Sequence, residues 1–240
     1  MSLESVKSNQ DPSVPGPPRI QIIFLLIVLI GYPASSAIMG IIGNTEPAQV
    51  TSKVTQVYLP TLFMQIVLLA ALWYVLYRSC SSFAEIGFAE RDINWSNVVS
   101  AVIFFIGAWG LMVVIKSSIE RSGYLPETDF LRLMPATALE GGLWALLSAG
   151  AALSEELIFR GFVITRLQRI TGRFWIGAVL GSFAFSMGHL YQGFAGVFLT
   201  FLYGMLFAGL FAARRSVFPC IVAHFLQDII VLGAMFPGVR

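Results

Sequence analysis

The sequence predicts an all-α, polytopic transmembrane helical bundle of about seven spans, or eight if one run is split. Three observations predict it. Hydrophobic residues make up 57% of the 240 and charged residues only 12%, against about half and about a quarter in soluble chains. Mean hydropathy is +0.79. The apolar residues also fall in near-continuous runs of about 20, the length that crosses a bilayer as a helix, and not in the alternating segments of about 10 that build a membrane barrel. A net charge of +2 offers no general basic surface, which argues against a nucleic-acid partner. Two Cys exclude a disulfide framework and a Cys-rich metal cluster.

Residues 1–18 are polar and carry Pro12, Pro15, Pro17 and Pro18, which reads as a disordered N-terminal tail. Residues 19–240 then form a single transmembrane domain. Its first span runs from Ile20 to Ile42, with Pro33 placed to kink it. No small-residue cleavage site closes a short apolar stretch there, so the run reads as a span and not a signal peptide. Further spans are Val57–Tyr77, Val98–Ile115, Glu140–Phe162, Trp175–Leu190, Phe194–Ala212 and Val217–Phe236. A cytoplasmic N-terminus puts Lys7, Arg19, Arg78, Arg91, Arg166, Arg169, Arg173, Arg214 and Arg215 on the inner side. Lys53, Lys116, Arg121, Arg132 and Arg240 fall on the other. The excess of inner cations supports that orientation, with the C-terminus outside.

A few charges fall inside the spans: Glu155, Glu156 and Arg160 in the fourth, His189 near the end of the fifth, and His224 with Asp228 in the seventh. A charge at the bilayer centre costs at least about 3 kcal/mol and calls for a partner or a purpose. The spacing makes a coherent group. Glu156 and Arg160 are four apart, share a helix face and can pair, and His224 and Asp228 have the same spacing. Glu155 points roughly 100° away from Glu156 and is left to face something else. Taking the turn between the fourth and fifth spans near Gly172, Glu155 and His189 lie equally far from it, roughly 25 Å at the helical rise. The small residues Gly177, Gly181, Ser182, Ala184, Ser186 and Gly188 give the fifth span a means of close approach. Phe185 reads as packing beside His189, Glu140 as interfacial, and the Phe-rich run Phe194–Phe211 as lipid-facing bulk.

A carboxylate beside an imidazole can activate one water, and a second His with an Asp could stabilise an oxyanion if they donate hydrogen bonds. That is a hydrolase constellation. Glu155, His189, His224 and Asp228 are also plausible ligands of a divalent metal such as zinc. The HExxH zinc motif, a G-x-S-x-G elbow, a P-loop and G-x-G-x-x-G are all absent. A proton- or ion-coupled transporter using the same charges, or an inactive scaffold of the same fold, are the competing readings.

The motifs resemble those of a known family. Ser154-Glu155-Glu156-Leu157-Ile158-Phe159-Arg160-Gly161 looks like EExxxR, Phe185 to His189 looks like FxxxH, and His224 to Asp228 looks like HxxxN or HxxxD. These are the three motifs of the CPBP intramembrane proteases (CAAX protease and bacteriocin-processing, or Abi), related to the type II CAAX prenyl endopeptidases. The resemblance covers about Leu153 to Asp228, within a motif-bearing catalytic core at 139–236. It implies an intramembrane endopeptidase whose substrate is a membrane-associated, in one branch prenylated CAAX-type, protein or peptide. Glu155 would be the general base and His189 would help to bind the water. Glu156 and Arg160 would support the motif, and His224 with the last motif residue would stabilise the oxyanion. No cofactor is required if the protease is of the glutamate type. The family's site opens toward the cytoplasm. Asp228 stands where the prenyl endopeptidase branch has Asn, and an ionised Asp cannot donate to an oxyanion, which leaves a bound cation open.

Overall fold

The computed structural model describes residues 16–34, 52–123 and 133–235. The tail expected at 1–15 and the expected continuation of the first span to Ile42 lie outside the described residues. Within them the chain forms seven helices: α1 (Arg19–Ala34), α2 (Val54–Arg78), α3 (Trp95–Arg121), α4 (Ala138–Thr171), α5 (Phe174–Met187), α6 (Gly193–Arg214) and α7 (Phe218–Met235). No strand occurs among the described residues. Four of the helices, α2, α3, α4 and α6, are long and apolar enough to cross a membrane. The other three are shorter apolar helices. The chain is an integral membrane protein built as a helical bundle.

Local chemistry fixes the helix ends. Asn94 caps α3 by accepting from the Asn97 N–H at 3.0 Å, and Thr137 caps α4 by accepting from the Glu140 N–H at 3.2 Å; each satisfies a donor that the first turn cannot pair internally. Gly172 ends α4 at φ +71°, a left-handed conformation that glycine adopts without a Cβ penalty. In α1 a wide turn, Ile27–Gly31, precedes Pro33, whose missing N–H and bulky ring interrupt the ladder below it.

Two helices depart from regular geometry where the motifs lie. In α4 the stretch Glu156–Val163 is a π-helical turn, a distortion that recurs at functional positions. The fifth span, expected to reach Leu190, ends as a helix at Met187. Thus His189 lies just beyond the helix, at φ −106° and ψ 22°. Fourteen residues rise only about 21 Å, so α5 alone is too short for a hydrocarbon core of about 30 Å. Irregular backbone at membrane depth is tolerated where it lines a cavity, and Gly188, His189 and Gln192 do so.

The core forms where α4, α5, α6 and α7 pack together. A Cβ on Gly177 would stand 2.8 Å from the Ile164 Cα and 2.9 Å from its carbonyl oxygen, so α5 touches the α4 backbone through this missing side chain. Phe159, Phe162, Val163, Ile164, Phe185, Phe207 and Phe211 are all buried in one cluster that reaches Phe24 in α1 and Leu76 in α2. By contrast, α2 and α3 expose Phe63, Ile66, Trp73, Ile103, Ile106 and Val114, as helices facing lipid would.

The two ends of the bundle differ. At one end Gln21 of α1 donates to Ser79 and Ser81 at 2.7 and 3.0 Å, Arg214 donates to Asn97 at 2.9 Å, and Arg166 lies 3.7 Å from Glu85. At the other end Lys53 bonds the Met134 carbonyl at 2.7 Å and pairs with Glu140 at 2.9 Å, and Tyr58 donates to the Leu133 carbonyl at 2.7 Å. The interfacial placement expected of Glu140 thus includes a specific partner.

Candidate active site

Glu156 and Arg160 occupy the π-helical turn of α4, both almost wholly buried. Arg160 Nη1 donates to Glu156 Oε1 at 2.8 Å, the pairing expected from their spacing. The same Oε1 accepts from His224 Nδ1 of α7 at 2.8 Å. Glu156 therefore ties two helices together. The Arg160 guanidinium is also sandwiched between rings: its Cζ lies 4.7 Å from the Phe185 centroid and 5.1 Å from that of Phe207. A planar delocalised cation suits that slot better than an ammonium would.

The other nitrogen of His224 faces two further carboxylates. Its Nε2 lies 3.8 Å from Glu155 Oε2 and 3.6 Å from Asp228 Oδ2. One imidazole thus stands among three acidic side chains from α4 and α7. Glu155 points away from the Glu156–Arg160 pair, as its position on the helix requires, yet it shares His224 with Glu156.

His189 arrives from the break after α5. Its Nδ1 donates to the Phe185 carbonyl at 3.0 Å, and its ring packs 4.8 Å from the Phe185 ring. With Nδ1 carrying the proton, Nε2 of the neutral ring is the nitrogen with a lone pair. Phe185 is packing, as read from the sequence, but it also holds Arg160 and orients His189.

A cavity of about 970 Å³ collects these groups. Glu155, Glu156, Arg160, His189, His224 and Asp228 all line it, with α2, α3 and α6 supplying the remaining walls. Three separate motifs from three parts of the chain therefore meet around one space. Residues that the sequence reading did not single out complete it. Trp144 lies one face along α4, and its indole N–H donates to the Asp228 carbonyl at 3.1 Å. Phe207 corrects the reading of the sixth span as lipid-facing bulk: Phe194 and Phe198 are exposed, but Phe207 and Phe211 are buried, and the Phe207 ring lies 5.7 Å from His224. The four-residue spacing of Tyr203 and Phe207 is the signal that could have placed one face of α6 inward. Gln65 of α2 is buried beside α4, donating to the Leu147 carbonyl at 3.2 Å.

The donor set does not form a ready metal site. Among the described residues no three His, Cys, Asp or Glu side chains are arranged to hold one ion.

The cavity also bears on orientation. Its lining reaches Val57, Lys116 and Leu133, at the end held by Lys53, Glu140 and Tyr58. The N-terminus of α1 lies at the opposite end, beside Ser79 and Ser81. A cytoplasmic N-terminus and a site opening toward the cytoplasm were both expected from the sequence. The cavity lining thus reaches the end of the bundle opposite the start of α1.

Helices of membrane-spanning length enclosing a buried polar site of acidic, imidazole and guanidinium groups define an intramembrane hydrolase-like membrane protein. Residues 137–230 match the model of the family described as Type II CAAX prenyl endopeptidase Rce1-like. All three motifs fall within that segment, and over it the chain is similar to the CAAX protease family whose motifs they resemble. At family level this supports a CAAX-type intramembrane protease acting on a membrane-associated protein or peptide. No curated protein and no solved structure matches the chain significantly.

Proposed function

We propose that this protein hydrolyses a peptide bond of a membrane-associated protein or peptide, prenylated if the chain acts as its prenyl endopeptidase relatives do, by a water activated at Glu155. The observation that carries the reading is the convergence of the EExxxR, FxxxH and HxxxD side chains on one cavity. Glu155 takes the proton from the water as its oxygen attacks the substrate carbonyl carbon. His189 accepts through Nε2 and orients that water. His224, fixed through Nδ1 by Glu156, presents Nε2 between Glu155 and Asp228. Arg160 pairs with Glu156 and holds it in place. The site residues of this reading are Glu155, Glu156, Arg160, His189, His224 and Asp228, within a catalytic core at 139–236.

The reaction as proposed needs no metal. The arrangement of His224 among carboxylates supports that, since each carboxylate already has a cationic or hydrogen-bonding neighbour in the chain. Metal analysis of the purified protein, with cleavage measured before and after chelation, tests it: unchanged cleavage is expected, and loss restored by zinc would overturn it.

One observation favours hydrolysis over proton- or ion-coupled transport. Beyond Arg160 toward the arginine-rich end, Phe162, Val163, Ile164, Leu167 and Phe211 are buried together, so an apolar plug stands where a transport path would continue. Cleavage of an internally quenched farnesylated CAAX peptide, abolished by Glu155→Gln, is the expected result. Retained cleavage by that variant would remove Glu155 from its role.

A further inference from the structure

We propose that the Tyr203 hydroxyl is a catalytic hydrogen-bond donor of this site, binding the oxyanion that forms when water adds to a substrate carbonyl. The inference rests on the peptidase reading above and extends it to a residue outside the three motifs.

The need arises from the motif residues themselves. Oxyanion stabilisation requires donors aimed at the developing charge. Asp228 lines the same cavity, yet an ionised carboxylate accepts hydrogen bonds and donates none. His224 has Nδ1 bonded to Glu156, and its Nε2 is flanked by Glu155 and Asp228 at 3.8 and 3.6 Å. One imidazole is thus already shared by three carboxylates, and a further donor aimed at the new oxyanion answers the shortage.

Geometry places Tyr203 at that point. The helices α6 and α7 run antiparallel, and Phe207 of α6 meets His224 of α7 with rings 5.7 Å apart. One turn toward the cavity mouth, Tyr203 is four residues before Phe207, and Asp228 is four residues after His224. Each step rises about 6 Å, so Tyr203 and Asp228 are level across the cavity. Both line it. The Tyr203 ring packs tilted against that of Phe207, with centroids 5.9 Å apart. Its hydroxyl is buried and has no hydrogen-bond partner among the described residues. A buried hydroxyl left unpaired is destabilising, a cost that a reaction intermediate would relieve.

The step balances without any outside reagent. The water oxygen bonds to the carbonyl carbon, its proton passes to Glu155, and the carbonyl π pair moves to the oxygen that Tyr203 binds. When that oxygen returns its pair, the C–N bond breaks. The amine leaves with the proton from Glu155, giving a carboxyl product and an amine product. Tyr203 donates a hydrogen bond throughout and keeps its proton.

The test uses the full chain in liposomes and the internally quenched farnesylated CAAX peptide. Cleavage by the unaltered protein and its loss in Glu155→Gln first test the peptidase reading. Tyr203→Phe removes only the hydroxyl. It is expected to lower kcat about 10²–10³-fold, as losing one oxyanion donor does, with KM unchanged. Asp228→Asn added to Tyr203→Phe supplies an amide donor at the same level and is expected to recover at least tenfold, which a packing role would not do. An unchanged kcat in a folded Tyr203→Phe protein, or a loss that Asp228→Asn leaves as it was, would overturn the Tyr203 proposal and leave the Glu155 result standing. If the unaltered protein does not cleave this peptide, the prenyl-peptide reading falls, and Tyr203 is then decided by fluorine NMR of 3-fluorotyrosine placed at position 203. Its signal is expected to move on Asp228→Asn and on addition of a tetrahedral peptide phosphinate. A signal that neither change moves would overturn the proposal.

Discussion

Arg160 shows how a single residue can be both structural and functional here. It is among the largest wholly buried side chains, and it pairs with Glu156 at 2.8 Å while stacked between Phe185 and Phe207. Removing one member of a buried ion pair leaves an uncompensated charge, which typically costs 3–5 kcal/mol. Arg160→Ala should therefore lower the unfolding midpoint in detergent as well as activity. Arg160→Met combined with Glu156→Gln should recover much of the stability but none of the activity, because His224 would then lose its anionic anchor. A fully stable, inactive Arg160→Ala protein would assign Arg160 a direct chemical role. At Glu155 the expectation is the reverse. The Gln side chain is isosteric and keeps the contact with His224, so the melting midpoint should hold while turnover falls by 10²–10⁴-fold or more, the range of a general base.

The fifth helix decides the shape of the site at the next scale. Its small residues bring it against α4, and its early end at Met187 turns His189 into the cavity. Gly177 is the contact that cannot grow, since a Cβ there would press on the Ile164 backbone at 2.8 Å. Gly177→Val should cost about 1–3 kcal/mol through overpacking, read as a lower unfolding midpoint. It should also reduce activity, because any outward shift of α5 carries His189 with it. A Val variant with unaltered midpoint and turnover would show that the α4–α5 spacing is not what sets the His189 position.

For the whole molecule, the separation of the two ends is the feature with the largest consequence. Cys80 is exposed at the end that holds the start of α1, and Lys116 lines the cavity toward the other end. In sealed vesicles a membrane-impermeant maleimide should label Cys80 and a Lys116→Cys replacement from opposite sides. Labelling of both from one side would contradict the fold. The side on which Cys80 reacts also tests the inner position that the arginine distribution assigns to the N-terminus, and the side on which the Lys116→Cys replacement reacts tests the cytoplasmic opening that the family resemblance implies.

The sequence by itself determined the helical membrane class, seven apolar segments and the identity of the charged residues that meet. Apolar run length and the cost of burying charge are local properties, legible one segment at a time. The i, i+4 spacing likewise specified the Glu156–Arg160 pair, since both sit on one helix. What the tertiary structure decided lay between helices. The sharing of Glu156 by Arg160 and His224, the turn that frees His189 from α5, and the inward face of α6 with Tyr203 and Phe207 all depend on how helices are placed against one another. The direction of the cavity belongs to the same group, because loop charges report which end faces which compartment and say nothing of where packing leaves a space. Inside a membrane every helix surface is apolar, so hydropathy cannot distinguish a face turned to lipid from one turned to a site, and only packing assigns it.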